Sequence, residues 1–154
     1  MHGNETVLAL LNQALKEELT SINQYIVHAE MCANWGYQKL SGYTKKLSIE
    51  EMKHAEALIE RILFLDGTPR LTEAMSLNIG PNVKAQIEND LKLEIAAVAM
   101  YNESAKKAAE LADNASRELF IKLLKDEEGH VDWADTQLFQ IKELGLDNYL
   151  AQQL

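Results

Sequence analysis

The chain has 154 residues, 47% of them hydrophobic, with 24 Asp and Glu against 15 Lys and Arg and a formal net charge of −9. That length suffices for one domain with a real core, and the acidic balance excludes nucleic acid as an expected partner, because phosphate binding needs clustered Lys and Arg. A single cysteine (Cys32), no apolar run near the roughly 20 residues of a membrane span, and no leader pattern in Met1-His2-Gly3-Asn4 point to a cytoplasmic protein without an internal disulfide or membrane segment.

Two prolines and seven glycines leave long periodic gaps, which predict helices. Asn4 is placed to cap a first helix from about Glu5 to about Asn34, with Leu11, Leu15, Glu18, Ile22, Tyr25 and Ala29 as its inward stripe. After a break at Trp35-Gly36, a second helix runs to about Leu65 and turns Leu40, Leu47, Glu51, His54, Leu58, Ile62 and Leu65 inward. The segment from Asp66 to Pro81 is too long for a hairpin turn. Its sixteen residues can stretch about 50 Å, and a helix of roughly 30 residues is about 45 Å long, so it can cross a whole bundle. A third helix from about Val83 carries Ile87, Leu91, Glu94, Val98, Tyr101, Ala105 and Ala108. Past a break at Ala112-Asp113-Asn114, a fourth from about Ala115 to Leu144 carries Phe120, Leu123, Glu127, His130, Ala134, Leu138 and Ile141. Gly145 stops it, and Asp147 is placed to cap a short last helix, Asn148 to Gln153, which must dock on something to be stable. The expected architecture is all-α: one domain over residues 1–154, a four-helix bundle of two antiparallel hairpins joined by a long crossover, plus a short fifth helix.

Metal-binding side chains recur along this pattern at one offset. Glu18 with Glu51-x-x-His54 reappears 76 positions later as Glu94 with Glu127-x-x-His130, and Tyr25 and Tyr101 share that offset. In each half the lone Glu precedes the second by 33 residues, and the midpoints fall near the two helix breaks. Residues equidistant from a hairpin turn lie level, so four carboxylates and two imidazoles are expected to meet at mid-height of the bundle, a di-metal ligand set. All six occupy core positions, where charged groups are almost never buried without a partner. Two divalent cations match the four carboxylates in charge while both histidines bind as neutral imidazoles. An oxygen and nitrogen set without thiolate suits iron or manganese, and zinc also binds such ligands. Glu and His at i and i+3 share one face, so each metal takes a terminal His and a bridging Glu from one helix, with Glu18 and Glu94 capping one metal each.

Other residues carry plainer expectations. His2 and His28 lack partners at ligand spacing and are read as surface or terminal residues. Cys32 reads as an ordinary small helix residue, and Tyr25 and Trp133 as packing groups rather than electron carriers.

The whole chain resembles a bacterioferritin. The match is carried by Glu18-Leu19-Thr20-Ser21-Ile22-Asn23-Gln24-Tyr25, Ile49-Glu50-Glu51-Met52-Lys53-His54-Ala55, Arg61-Ile62-Leu63-Phe64-Leu65, Asp126-Glu127-Glu128-Gly129-His130-Val131-Asp132-Trp133 and Leu144-Gly145-Leu146-Asp147-Asn148-Tyr149-Leu150. The resemblance implies a ferritin-like fold and a hollow homo-oligomeric shell of 24 subunits built from two-fold dimers. It also implies a ferroxidase that oxidises Fe(II) with O2 or H2O2 at two iron ions per subunit, feeds a ferric mineral, and receives electrons for iron release from a ferredoxin-type donor. Met52 follows Glu51 by about 100° around the helix and points away from the core; by resemblance it is the sulfur ligand to a haem b shared between two subunits.

Some bacterioferritins carry His and Asp on the cavity side of the second helix as an inner iron site. Here those positions are Lys46 and Glu50, so no such site is expected, although Glu50 remains able to attract cations. Asp66, Asp132 and Asp135 are candidate acidic rim residues. The rival reading, a di-iron oxygenase or peroxidase of rubrerythrin type, usually brings a Cys-x-x-Cys module, and this chain has one cysteine.

Overall fold

The structure is a computed structural model in which residues 1–73 and 76–154 are described. The sparse Gly and Pro content yields four long helices, α1 (Glu5–Asn34), α2 (Gln38–Phe64), α3 (Val83–Glu110) and α4 (Asn114–Leu144), and a short α5 (Leu146–Ala151). Asn4 caps α1 as expected, its side chain accepting from the Thr6 and Val7 amides at 2.8 and 3.3 Å. Asp113 caps α4 by accepting from the Ser116 amide at 3.0 Å, and Arg61 of α2 holds that cap at 2.9 Å. The first helix pair and the second each form a hairpin, and the pairs pack into one bundle. Among the described residues, no helix is long and apolar enough to cross a membrane.

The crossover between α2 and α3 lies along α1 and is held by side chains of that helix. Asn12 donates to the Thr68 carbonyl at 3.2 Å and accepts from the Arg70 amide at 2.8 Å; farther along, Gln24 accepts from the Asn78 amide at 3.0 Å and His28 from the Gly80 amide at 3.0 Å. The stretch of α1 from Asn12 to His28 climbs about 24 Å, so the crossover delivers α3 antiparallel to α1. Gly80 lies so close to the first turn of α3 that a Cβ there would come within 2.4 Å of the Gln86 nitrogen.

Two apolar cores result. One joins Leu11, Leu15, Leu58, Ile62, Tyr101 and Phe120; the other joins Cys32, Leu40, Val83, Ile87, Ile141 and Tyr149. Between them, contributed by all four long helices, stand Glu18, Glu51, His54, Glu94, Glu127 and His130, all buried. The last helix differs from expectation: it starts at Leu146, Gly145 rather than Asp147 occupies its cap position, and no side chain caps it. Its hold is tertiary. Tyr149 is buried in the second core with its hydroxyl donating to Gln137 at 2.7 Å, and the Lys39 amide donates to the Gln153 carbonyl at 3.0 Å.

Candidate metal centre

The six side chains gather into two sets that share two members. Ligand atoms of Glu18, Glu51, His54 and Glu127 lie within 4.8 Å of one another, as do those of Glu51, Glu94, Glu127 and His130. His54 Nδ1 is 2.9 Å from Glu127 Oε1, 3.4 Å from Glu18 Oε1 and 3.7 Å from Glu51 Oε2; His130 Nδ1 is 2.9 Å from Glu51 Oε1, 3.4 Å from Glu94 Oε1 and 3.7 Å from Glu127 Oε2. The two lists are mirror images under exchange of the halves. Each shared carboxylate, Glu51 and Glu127, therefore turns one oxygen to each set, while Glu18 with His54 and Glu94 with His130 serve one set each. The imidazole rings face each other at 6.4 Å and lie within 16° of parallel.

With both imidazoles neutral, these short separations are not hydrogen bonds. Nδ1 of both histidines and buried oxygens of Glu18, Glu51, Glu94 and Glu127 have no hydrogen-bond partner, although the nitrogens stand 2.9 Å from carboxylates. The reason lies at the opposite edge of each ring: His54 Nε2 donates to Asp126 at 2.9 Å and His130 Nε2 to Glu50 at 2.8 Å. A neutral imidazole with its proton on Nε2 turns a bare lone pair inward. Lone pairs converging on two buried points are costly unless a cation sits between them, and an outer carboxylate that fixes the imidazole tautomer is the usual support of a metal-bound histidine.

Without a cation, protons take its place. Burial and the neighbouring Glu51 push Glu18 well above the usual carboxylate range, and burial with Glu127 does the same to Glu94. Burial alone would lower both histidines, but contacts with Glu127, Glu18 and Glu51 raise His54, and those with Glu127, Glu51 and Glu94 raise His130. Glu127 goes the other way: burial is outweighed by Glu94 and both imidazoles, which hold its carboxyl low.

Against known proteins, residues 8–144 match the ferritin-like domain of the ferritin family. The chain is 44% identical to a bacterioferritin of Brucella melitensis over 97% of its own length and 92% of that protein. It is 41% identical to one from Mycobacterium tuberculosis, covering 99% of this chain and 96% of the relative, and 42% identical to one from Rhodobacter capsulatus over 94% and 90%. The chain belongs to the bacterioferritin family. For a bacterioferritin, an iron-storage protein, a buried Glu and His cluster at mid-bundle is the arrangement a di-iron site would use.

Sequence reasoning missed four partners of this bacterioferritin cluster. Tyr25 donates its phenolic proton to Glu94 and Tyr101 to Glu18, so both tyrosines do more than pack. The shared 76-residue offset of the two tyrosines carried that signal. Glu50 accepts from His130 and lies 4.0 Å from Lys46; Asp126 had no signal beyond its place beside Glu127. His28 is also corrected. It is a buried residue rather than a surface one, donating from Nδ1 to Asp90 at 2.9 Å and accepting from Gly80 at Nε2. His2 is exposed, Cys32 is buried with its thiol pushed up to about 11 by burial and Asp90, and Trp133 stacks on Tyr43 at 4.4 Å. Of the acidic rim candidates, Asp132 and Asp135 are exposed and Asp66 pairs with the N-terminal amine at 3.3 Å.

Proposed function

We propose that this iron-storage protein is a ferroxidase, with Glu18, Glu51, His54, Glu94, Glu127 and His130 as its catalytic ligands. Two Fe(II) ions are bound as substrates, one by Glu18 and His54 and one by Glu94 and His130, with Glu51 and Glu127 between them. The observation that carries this reading is the pair of buried lone-pair clusters whose imidazoles point their Nε2 protons outward, to Asp126 and Glu50. Two such ions supply two electrons, which reduce O2 to H2O2, or H2O2 to water, with two protons taken up. The chain's part is to fix both ions side by side, exclude bulk water and hold the imidazoles in the metal-binding tautomer. The product Fe(III) passes to a mineral stored inside a cytoplasmic homo-oligomeric shell of 24 copies, each a single ferritin-like domain.

Met52 is proposed as a haem b ligand at a two-fold contact, with electrons for iron release coming from a ferredoxin-type donor through that haem. A thioether suits haem iron, and Met52 is 45% exposed, as is Ile49 one turn before it at 43%. The haem would supply one-electron transfer; the chain would supply the sulfur and the apolar walls.

The deciding experiment adds two Fe(II) per chain without oxygen, admits O2, and follows oxidation by absorbance. Glu127→Ala should abolish the fast phase while the helical fold persists, because the apolar cores on either side of the site are untouched. Oxidation at the wild-type rate in that variant would refute the assignment.

A further inference from the structure

The outer edge of the metal centre opens into a pocket of about 580 Å³ between α2 and α4, with the imidazoles of His54 and His130 in its wall. Its rim is of unexpected sign. Lys53, Lys122 and Lys125 line it, and none of the three forms an ion pair among the described residues. A fourth lysine, Lys46, stands 4.0 Å from Glu50 and 5.8 Å from the ring of Tyr43, both of which line the pocket. Against these four cations stand two carboxylates, Glu50 and Asp126, and each is already engaged by an imidazole N–H. The local balance is positive in a chain whose formal net charge is −9.

An excess of ammonium groups on this rim favours an anion over a cation. A concave site with an excess of one sign of charge concentrates counter-ions, and lysines act as compact point charges with rotatable donors rather than the planar fork that recognises carboxylates. Ammonium groups arriving from two different helices suit an anion that offers oxygens in several directions. We propose that this pocket is a binding site for a tetrahedral oxyanion, with inorganic phosphate as the simplest occupant. Where the centre oxidises iron, an anion held here would meet Fe(III) as it leaves past the histidines. That consequence rests on the ferroxidase reading; binding of the anion by iron-free protein does not.

The test is an equilibrium titration of assembled, iron-free protein with inorganic phosphate, read by calorimetry or phosphorus NMR at low ionic strength. Saturable binding of about one phosphate per chain is expected, weakening as salt is raised. Lys122→Gln with Lys125→Gln should weaken it at least ten-fold at unchanged helical content, whereas the charge-matched pair Lys92→Gln with Lys106→Gln, on exposed positions of α3 outside the pocket, should retain it. Sulfate should compete and acetate should not. Absence of saturable binding, equal loss in both double variants, or equal competition by acetate would each overturn the proposal. Loss of ferroxidase activity in Glu127→Ala without loss of phosphate binding would leave it standing.

Discussion

Tyr25 on α1 donates its phenolic proton to Glu94 on α3, and Tyr101 on α3 returns the same bond to Glu18 on α1. Both phenols are fully buried, and burial followed by the facing carboxylate pushes each well above the usual tyrosine range, so each stays a donor. The non-bridging carboxylates are thus held from across the bundle, one oxygen bonded to a phenol and the other left for a cation.

Removing either hydroxyl should therefore act on both stability and metal affinity. Tyr101→Phe leaves a buried carboxyl oxygen without its donor, at a cost of about 1–3 kcal/mol, or roughly 3–10 °C in Tm for a domain of this size. Affinity for a spectroscopic probe such as Co(II) should fall about ten-fold, as is usual when an outer partner of a ligand is lost. Tyr25→Phe should reproduce both effects through Glu94. Unchanged melting and unchanged Co(II) titration in both variants would show that the phenols only fill space.

Asp126→Ala and Glu50→Ala should each weaken Co(II) binding toward the ten-fold end of the usual range of roughly 10–100-fold for such partners. The modest size follows from exposure: the Asp126 side chain is 51% exposed and that of Glu50 37%, so water can take over much of the Nε2 proton. The double variant should lose more than either alone, because it frees the tautomers of both imidazoles. A Co(II) titration of the double variant that overlays the wild type would refute the positioning role.

The iron-free protein should lose stability as pH rises. Glu18 and Glu94 are raised in the fold, so the folded chain binds more protons than the unfolded one, and their contribution is full below about pH 4.5 and declines above it. His54 and His130 are raised too, with a contribution full below about pH 6.5 that shrinks as pH climbs toward their folded values. Glu127, held low, opposes this only below its ordinary value of 4.5. Tm of iron-free protein should thus fall between about pH 5 and pH 8, and fall less in Glu18→Gln with Glu94→Gln, which lacks the carboxyl part. Metal displaces the same protons, so its stabilising effect should grow over that interval. A Tm that climbs with pH equally in both proteins would contradict the assignment.

How much of this was legible in the sequence depends on whether the partner lies on the same helical period. The six buried ligands sit in apolar stripes at spacings of three and four, twice over, so their convergence follows from helix geometry and hairpin symmetry. His28 does not announce itself that way: its partners are Asp90, 62 positions on, and Gly80 in a crossover without periodicity. Glu50 and Asp126 sit one residue before a ligand, and only the lateral approach of α2 to α4 tells which imidazole each supports, crossing over to the opposite helix in both cases. The start of α5 escapes sequence reasoning because Asp147 is a good cap in isolation, whereas burial of Tyr149 decides where the turn forms.

Met52→Leu should remove the proposed haem ligand and spare the metal centre. Ser48 of α2 donates to the Ile22 carbonyl of α1 at 2.9 Å, which sets the register of the two helices and places Met52 one turn farther along the outer face. Ile49 and Met52, one turn apart on α2 and at 43% and 45% exposure, leave apolar side chains open to solvent there. Leucine keeps the volume and apolarity of methionine, so a contact between two copies should survive at a cost under about 1.5 kcal/mol, while the sulfur that could bind iron is gone. Size-exclusion chromatography should show wild-type assembly, and Fe(II) oxidation should continue because Glu51 still faces inward. The Soret absorbance of protein purified with ample haem is the readout: near-complete loss supports Met52 as the ligand, and full wild-type haem content in the variant would remove it from that role.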